Sequence, residues 1–189
     1  MGNIRYNTII ICDVESTCWE PREAQGDQPS EVIEIGVCRL HMDTFDISGK
    51  TSLIVRPKFS EITEFCTELT GLTWDKVKHG MQFKDACNKL FKKFGTSNKV
   101  WASWGDCDRD HFRKECKEKD ARYPFGQTHV NVSALFSLSL GKSQRLSVSD
   151  ALKEIGFEFE GRPHCGADDA YNTARILRYL LEPARNKSC

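Results

Sequence analysis

The order in which two periodicities follow one another limits the architecture of this chain more than any single motif does. Three strand-like segments come first: "TIIIC" running into Asp13, "EVIEIGVCRLHM" over roughly Glu31 to Met42, and "TSLIVRP" closed by Pro57. Between the first two, "WEPREAQGDQPS" carries the Pro, Gly and charges of an exposed loop, and "DTFDISGK" reads as a turn leading into the third. The period then changes. Phe83, Ala86, Cys87, Leu90, Phe91 and Phe94 fall at helical spacing, with Gly95 as a cap. "KVWAS" is a further buried strand, and "DRDHFRKECKEKD" is a surface helix turning Phe112 and Cys116 inward. "THVNVSALFSLSL" is a strand giving way to a helix near Asn131, and "SVSDALKEIG" is a helix with Ser147 as N-cap and Val148, Ala151, Leu152 and Ile155 on one face. The last helix runs from about Ala167 to Leu181 and is stopped by Pro183.

Strands first, then strands alternating with helices, predict a mixed sheet with helices on its faces: an α/β fold. The 189 residues fit a single domain, with a core over about residues 8–182 and a short polar C-terminal tail. No repeat, linker or low-complexity stretch interrupts it.

Charge narrows the function classes. With 27 basic and 27 acidic residues the chain is not built to coat a long polyanion, but an enzyme gripping a few phosphates is compatible with this balance. Nine scattered cysteines without a C-x-x-C pair argue against structural zinc. With no signal peptide or membrane span, they read as reduced thiols of a cytoplasmic protein that needs no membrane and specifies no obligate protein partner.

Acidic residues recur where strands end and helices begin. Asp13 and Glu15 close the first strand, and side chains at i and i+2 of an extended backbone point the same way. Asp106, Asp108 and Asp110 follow "KVWAS" in "WGDCDRDHF"; His164, Asp168 and Asp169 precede the last helix in "RPHCGADDAYNTARIL". Ligands of such sheets bind at strand ends. Carboxylates crowded there stay ionised only with cations, and hard oxygen donors suit Mg²⁺ or Mn²⁺. Two such ions roughly 4 Å apart clamp the attacking and leaving oxygens of a phosphoryl displacement. His164 suits the base for the attacking water, since an unperturbed imidazole titrates at about pH 6.5.

The order D-x-E, a distant Asp after "WG", and H-x-x-x-x-D opening a C-terminal helix resembles the DEDDh family of 3′→5′ exonucleases, over nearly the whole chain from Ile9 to about Leu181. "FCTELTGLTWDKV" is similar to that family's second conserved block, and "RPHCGADDAYNTARIL" to the branch of histone-mRNA and RNA-interference-related 3′ exoribonucleases. The resemblance implies an RNase H-like fold with a five-stranded mixed sheet. It implies metal ligation by Asp13, Glu15, Asp108 and Asp169, with His164 as general base. It also implies contacts to the 3′-terminal nucleotide from Glu15, from the backbone at Ser16 and Thr17, and from Phe65, Leu69, Thr70 and Leu72. The implied reaction releases nucleoside 5′-monophosphates from single-stranded 3′ ends, RNA before DNA. A DNA-directed exonuclease, or a silent nucleic-acid-binding module of the same fold, is the alternative.

Each element also has a plainer reading. D-x-E alone is a solvated turn, Asp108 an N-cap and Asp169 a dipole partner of its helix. Phe65, Leu69 and Leu72 are core by default. His111 is a rival base, though its position reads as solvated, and Glu34 is a paired buried acid or an edge residue. Lys84, Lys89, Lys92 and Lys93 form a solvated face or steer a backbone. Cys107 stands where relatives of that branch can have a base-stacking Trp, a role open here to Trp104 or Phe112.

Overall fold

A computed structural model describes residues 5–186. Five strands form one sheet in the order β3-β2-β1-β4-β5: β1 (Arg5–Ser16), β2 (Val32–His41), β3 (Ile47–Ile54), β4 (Lys99–Ser103) and β5 (His129–Asn131). β1 pairs antiparallel with β2 and β2 with β3, whereas β1–β4 and β4–β5 are parallel. The expected mixed sheet is therefore present, with the meander at one side and the crossovers at the other.

Ile10, Ile11 and Cys12 are fully buried because both faces of the sheet are covered. Ile10 and Cys12 pack on one side with Phe83, Leu90, Phe94, Phe112 and Trp101. These come largely from α3 (Phe83–Lys89), its wider continuation Leu90–Phe94, and α4 (Cys107–Glu118). Ile9 and Ile11 pack on the other with Phe136, Leu152, Ala170, Ala174 and Leu177. Those belong to α5 (Val132–Ser139), α6 (Val148–Glu154) and α7 (Gly166–Asn186).

Several boundaries differ from the sequence reading. β1 continues past Asp13 through Glu15 to Ser16, with a register irregularity between Glu15 and Ser16, so both acids stand within a paired strand. β3 begins at Ile47 and takes in residues assigned to a turn; Gly49, at φ +67°, lets the strand pass an irregularity in its pairing with β2. Two short helices follow β3. Thr63 caps α1 (Glu64–Thr70) by accepting the Cys66 N–H, and Gly71 ends it at φ 74°, while Thr73 caps α2 (Trp74–Val77) through the Lys76 N–H. The last helix is not stopped by Pro183 but runs through it to Asn186, with the proline in its last turn. Helix therefore replaces the start of the expected tail, and its final residues 187–189 lie outside the described residues. Among the described residues no helix is long and apolar enough to cross a membrane.

Candidate active site

At the end of β1, one carboxylate oxygen from each of Asp13, Glu15 and Asp169 lies within 4.8 Å of the others. The strand supplies two of these acids by its two-residue period, and the first turn of α7 supplies the third. α7 can approach because two glycines face each other. A methyl group on Gly36 of β2 would lie 1.9 Å from the Gly166 carbonyl carbon and oxygen. Two residues before Gly36 on the same face, the carboxylate of Glu34 accepts the Gly166 N–H at 3.1 Å. Glu34 is thus the paired buried acid of the two readings, and it fixes the start of the helix that carries Asp169.

Crowding changes the acidity of the group. Burial, then the neighbouring charges of Asp108, Asp169 and Glu15, raises Asp13 well above the ordinary carboxylate range. Burial and the adjacent Asp169 push Glu15 up to about 8. Burial pushes Asp169 up to about 7, against N–H groups of His164 and Cys165 that pull it down. Three carboxylates so placed do not all ionise without positive charge between them, and their hard oxygens match a divalent cation such as Mg²⁺. The residues present fit such an ion.

Asp108 stands beside this group rather than in it. Its Oδ1 accepts the Val14 N–H at 3.0 Å, tying the first turn of α4 to β1 between the two strand acids. Burial raises it to about 6, opposed by the Val14 N–H, the Ser103 hydroxyl and the Arg145 guanidinium. The neighbouring acids have other duties. Asp106 pairs with Arg109 at 3.0 Å and accepts from Asn131 at 2.8 Å. Asp110 pairs with Arg109 at 3.2 Å. Asp168 takes Lys50 and the Arg162 N–H, which hold it below the ordinary range despite burial.

His164 is exposed and lies at φ 59° in the turn just before α7. Its loop is anchored by Arg162, whose guanidinium donates to the carbonyls of Glu68 at 2.8 Å and Leu69 at 3.2 Å on α1. Sequence reading missed Arg162 and the tie from Val14; only the tertiary contacts reveal them. His111 is neither solvated nor at the site. Its Nε2 lies 3.2 Å from the Ser30 carbonyl, and burial lowers its pKa.

The residues expected at the 3′-terminal nucleotide differ in exposure. Phe65 and Leu69 lie one turn apart on α1 and are half-buried, leaving surface for a base. Thr70 is buried, its hydroxyl donating to the Cys66 carbonyl and accepting from Leu72 N–H. Leu72 packs with Ile33, Cys66 and Val77 and belongs to the core. Thr17 is buried too: its N–H donates to the Glu31 carbonyl at 2.9 Å and its own carbonyl accepts from Ser30 at 3.1 Å, so its backbone holds the loop. Ser16 remains half-buried at the strand end. Beside Asp108, Cys107 is exposed. Phe112 is fully buried, and Trp104 packs near Phe136 with its N–H on the Leu146 carbonyl.

Comparison with known proteins gives the same picture. The exonuclease family RNase_T matches residues 10–177. Human 3′-5′ exoribonuclease 1 is 31% identical over 191 residues, which cover 94% of this chain and 53% of that protein. The nuclease domain of 3′hExo, a DEDDh family member solved with rAMP, superposes with a TM-score of 0.85 at 27% identity, covering 96% of this chain and 95% of that one. A structure describing 3′-end specific recognition of a histone mRNA stem-loop by 3′-exonuclease gives 0.84 at 28% identity, covering 96% and 65%. The fold is RNase H-like. The chain spans about half the length of the curated relatives it matches.

Proposed function

This chain belongs to the exonuclease family, and from that membership we propose that it is a metal-dependent 3′→5′ exoribonuclease working as a single domain on single-stranded 3′ ends. The observation behind this is the convergence of the Asp13, Glu15 and Asp169 carboxylates within 4.8 Å at the end of a central strand. RNA is favoured because the relatives named above act on, or are solved with, RNA or a ribonucleotide.

Asp13, Glu15 and Asp169, with Asp108 adjoining, are the donors that would hold two Mg²⁺ or Mn²⁺ ions, which when bound acidify the attacking water and offset charge on the leaving oxygen. Phe65 and Leu69 offer the terminal base an apolar seat, and Ser16 borders it. His164 receives the proton of the attacking water on an imidazole nitrogen as the water oxygen bonds to phosphorus and the scissile P–O bond breaks; solvent protonates the leaving oxygen, leaving a nucleoside 5′-monophosphate and a shortened strand with a 3′-hydroxyl. Arg162 holds the His164 loop against α1 while this happens. The eight described cysteines are unpaired, which supports a reducing, cytoplasmic setting.

The test is digestion of matched, 5′-labelled RNA and DNA strands with Mn²⁺, with and without EDTA. The expected result is a ladder shortening from the 3′ end, faster for RNA, abolished by EDTA and by Asp13→Ala. Binding without metal-dependent shortening would identify a silent module, and faster DNA loss would make DNA the substrate.

A further inference from the structure

Of the four tryptophans, only Trp74 is well exposed, at 45%; Trp19 and Trp101 are buried and Trp104 is half-buried. Trp74 opens a four-residue helix and keeps nearly half of its surface in water. Its surroundings are cationic. The Arg56 guanidinium lies 5.8 Å from the centre of its ring, and Lys76, two residues on, is exposed with its Nζ on the Gly71 carbonyl at 2.8 Å. Asp75, the acid between them, is paired with Lys78. Beyond Arg56, the exposed ring of Phe59 carries Lys58 4.8 Å from its centre. Aromatic faces interleaved with cations are the surface that unpaired bases and their phosphates occupy.

The sheet places this patch relative to the acids. Glu15, Glu34 and Ile54 stand in one rank across β1, β2 and β3. Neighbouring strands are ~4.8 Å apart, so β3 ends about 10 Å to the side of Glu15, at the same end of the sheet. Arg56 follows Ile54 by two residues, held by its N–H on the Met81 carbonyl at 2.9 Å. Trp74 follows Leu69 across the left-handed turn at Gly71, on the segment that continues from the proposed seat of the terminal base. The acid cluster repels a polyanion, and this offset patch attracts one.

We propose that Trp74, flanked by Arg56, is a stacking platform for an unpaired base upstream of the 3′-terminal nucleotide, with Arg56, Lys58 and Lys76 meeting the adjoining phosphates. This extends the reading of the substrate as single-stranded nucleic acid and rests on it.

The test compares wild type, Trp74→Ala and Trp74→Phe. Binding of a fluorescein-labelled oligouridylate is followed by anisotropy in EDTA, where nothing is cleaved. Turnover is followed with the 4-nitrophenyl ester of uridine 5′-monophosphate, which has no upstream base. Trp74→Ala should weaken oligouridylate binding about 5- to 150-fold, the span of one stacked base, while ester turnover stays at the wild-type level. Trp74→Phe should recover most of the affinity. Unchanged oligouridylate binding in Trp74→Ala overturns the platform, as does an equal loss on the ester, which would mark a structural role. The anisotropy arm reads the platform even if no strand is ever cleaved, so its failure and that of the enzymatic reading are separable.

Discussion

Gly36→Ala is the substitution on which the account of the site bears most heavily. The added methyl would sit 1.9 Å from the carbonyl carbon and oxygen of Gly166 and 2.4 Å from the Ala167 nitrogen, all backbone atoms. Carbon atoms in contact stand about 3.5–4.0 Å apart, so the first turn of α7 must retreat by roughly 1.5 Å. Overpacking of this kind costs about 1–3 kcal/mol. The retreat also breaks the 3.1 Å bond from Gly166 N–H to buried Glu34, adding about 1–3 kcal/mol for the unmatched group. The sum of about 2–6 kcal/mol, at about 2–4 °C per kcal/mol for a chain of this size, predicts a melting temperature lower by about 4–24 °C. Catalysis should suffer at temperatures where the variant is still folded, because Asp169 moves with α7 while Asp13 and Glu15 stay on β1. A misplacement of about 1 Å costs on the order of 10²-fold in rate. Thermal melts followed by circular dichroism, with RNA-shortening rates measured well below the transition, give both numbers. A variant that melts with wild type and cleaves at its rate would refute the claim that glycine contact sets the reach of α7.

Three further outcomes are expected. His164→Ala should lower kcat about 10²–10⁴-fold with little change in KM; a loss of tenfold or less in single-turnover rates would remove His164 as the base. Without divalent ions, the folded protein keeps protons on Glu15 up to about pH 8 and Asp169 up to about pH 7, whereas the unfolded chain releases them near 4.5 and 3.8. The folded state therefore binds more protons in that window, and stability should fall as pH rises from about 4.5 to 8. Melting in EDTA should show this slope and Mn²⁺ should flatten it; a rising slope in EDTA would contradict the crowding. Lys119 bridges Glu31 at 2.7 Å and Glu115 at 2.5 Å, both carboxylates nearly fully buried. Lys119→Ala leaves them without their cation and should cost about 3–5 kcal/mol in denaturant unfolding, with less than 1 kcal/mol refuting the pairing.

What the sequence disclosed follows physical range. Asp13 and Glu15 share a face because a strand has period two, and Ser147 caps α6 because its hydroxyl reaches the Asp150 N–H; both are properties of adjacent residues. The mixed sheet was legible from the change of period alone. The seven-residue helix α1 was not, since it is too short to show a periodic face and is defined by Thr63 and Gly71 at its ends. Nor was the separation of Leu72 and Thr70 from Phe65 and Leu69: all four sit in one polar-flanked stretch, and only the packing of Leu72 on Ile33 and Val77 divides them. Asp108 was placed correctly at the start of α4, but its bond to Val14 spans 94 positions and leaves no local trace. Glu34 and Arg162 belong with it, as groups whose partners lie on other elements.

The tie from Arg162 to the last carbonyls of α1 joins the loop of His164 to the helix proposed to seat the terminal base. A side chain at Gly71 would begin 1.7 Å from Arg162 Nη1, so the guanidinium occupies the room that glycine leaves there. On the proposed reading, the seat of the terminal base and the loop of the proton acceptor therefore share one support.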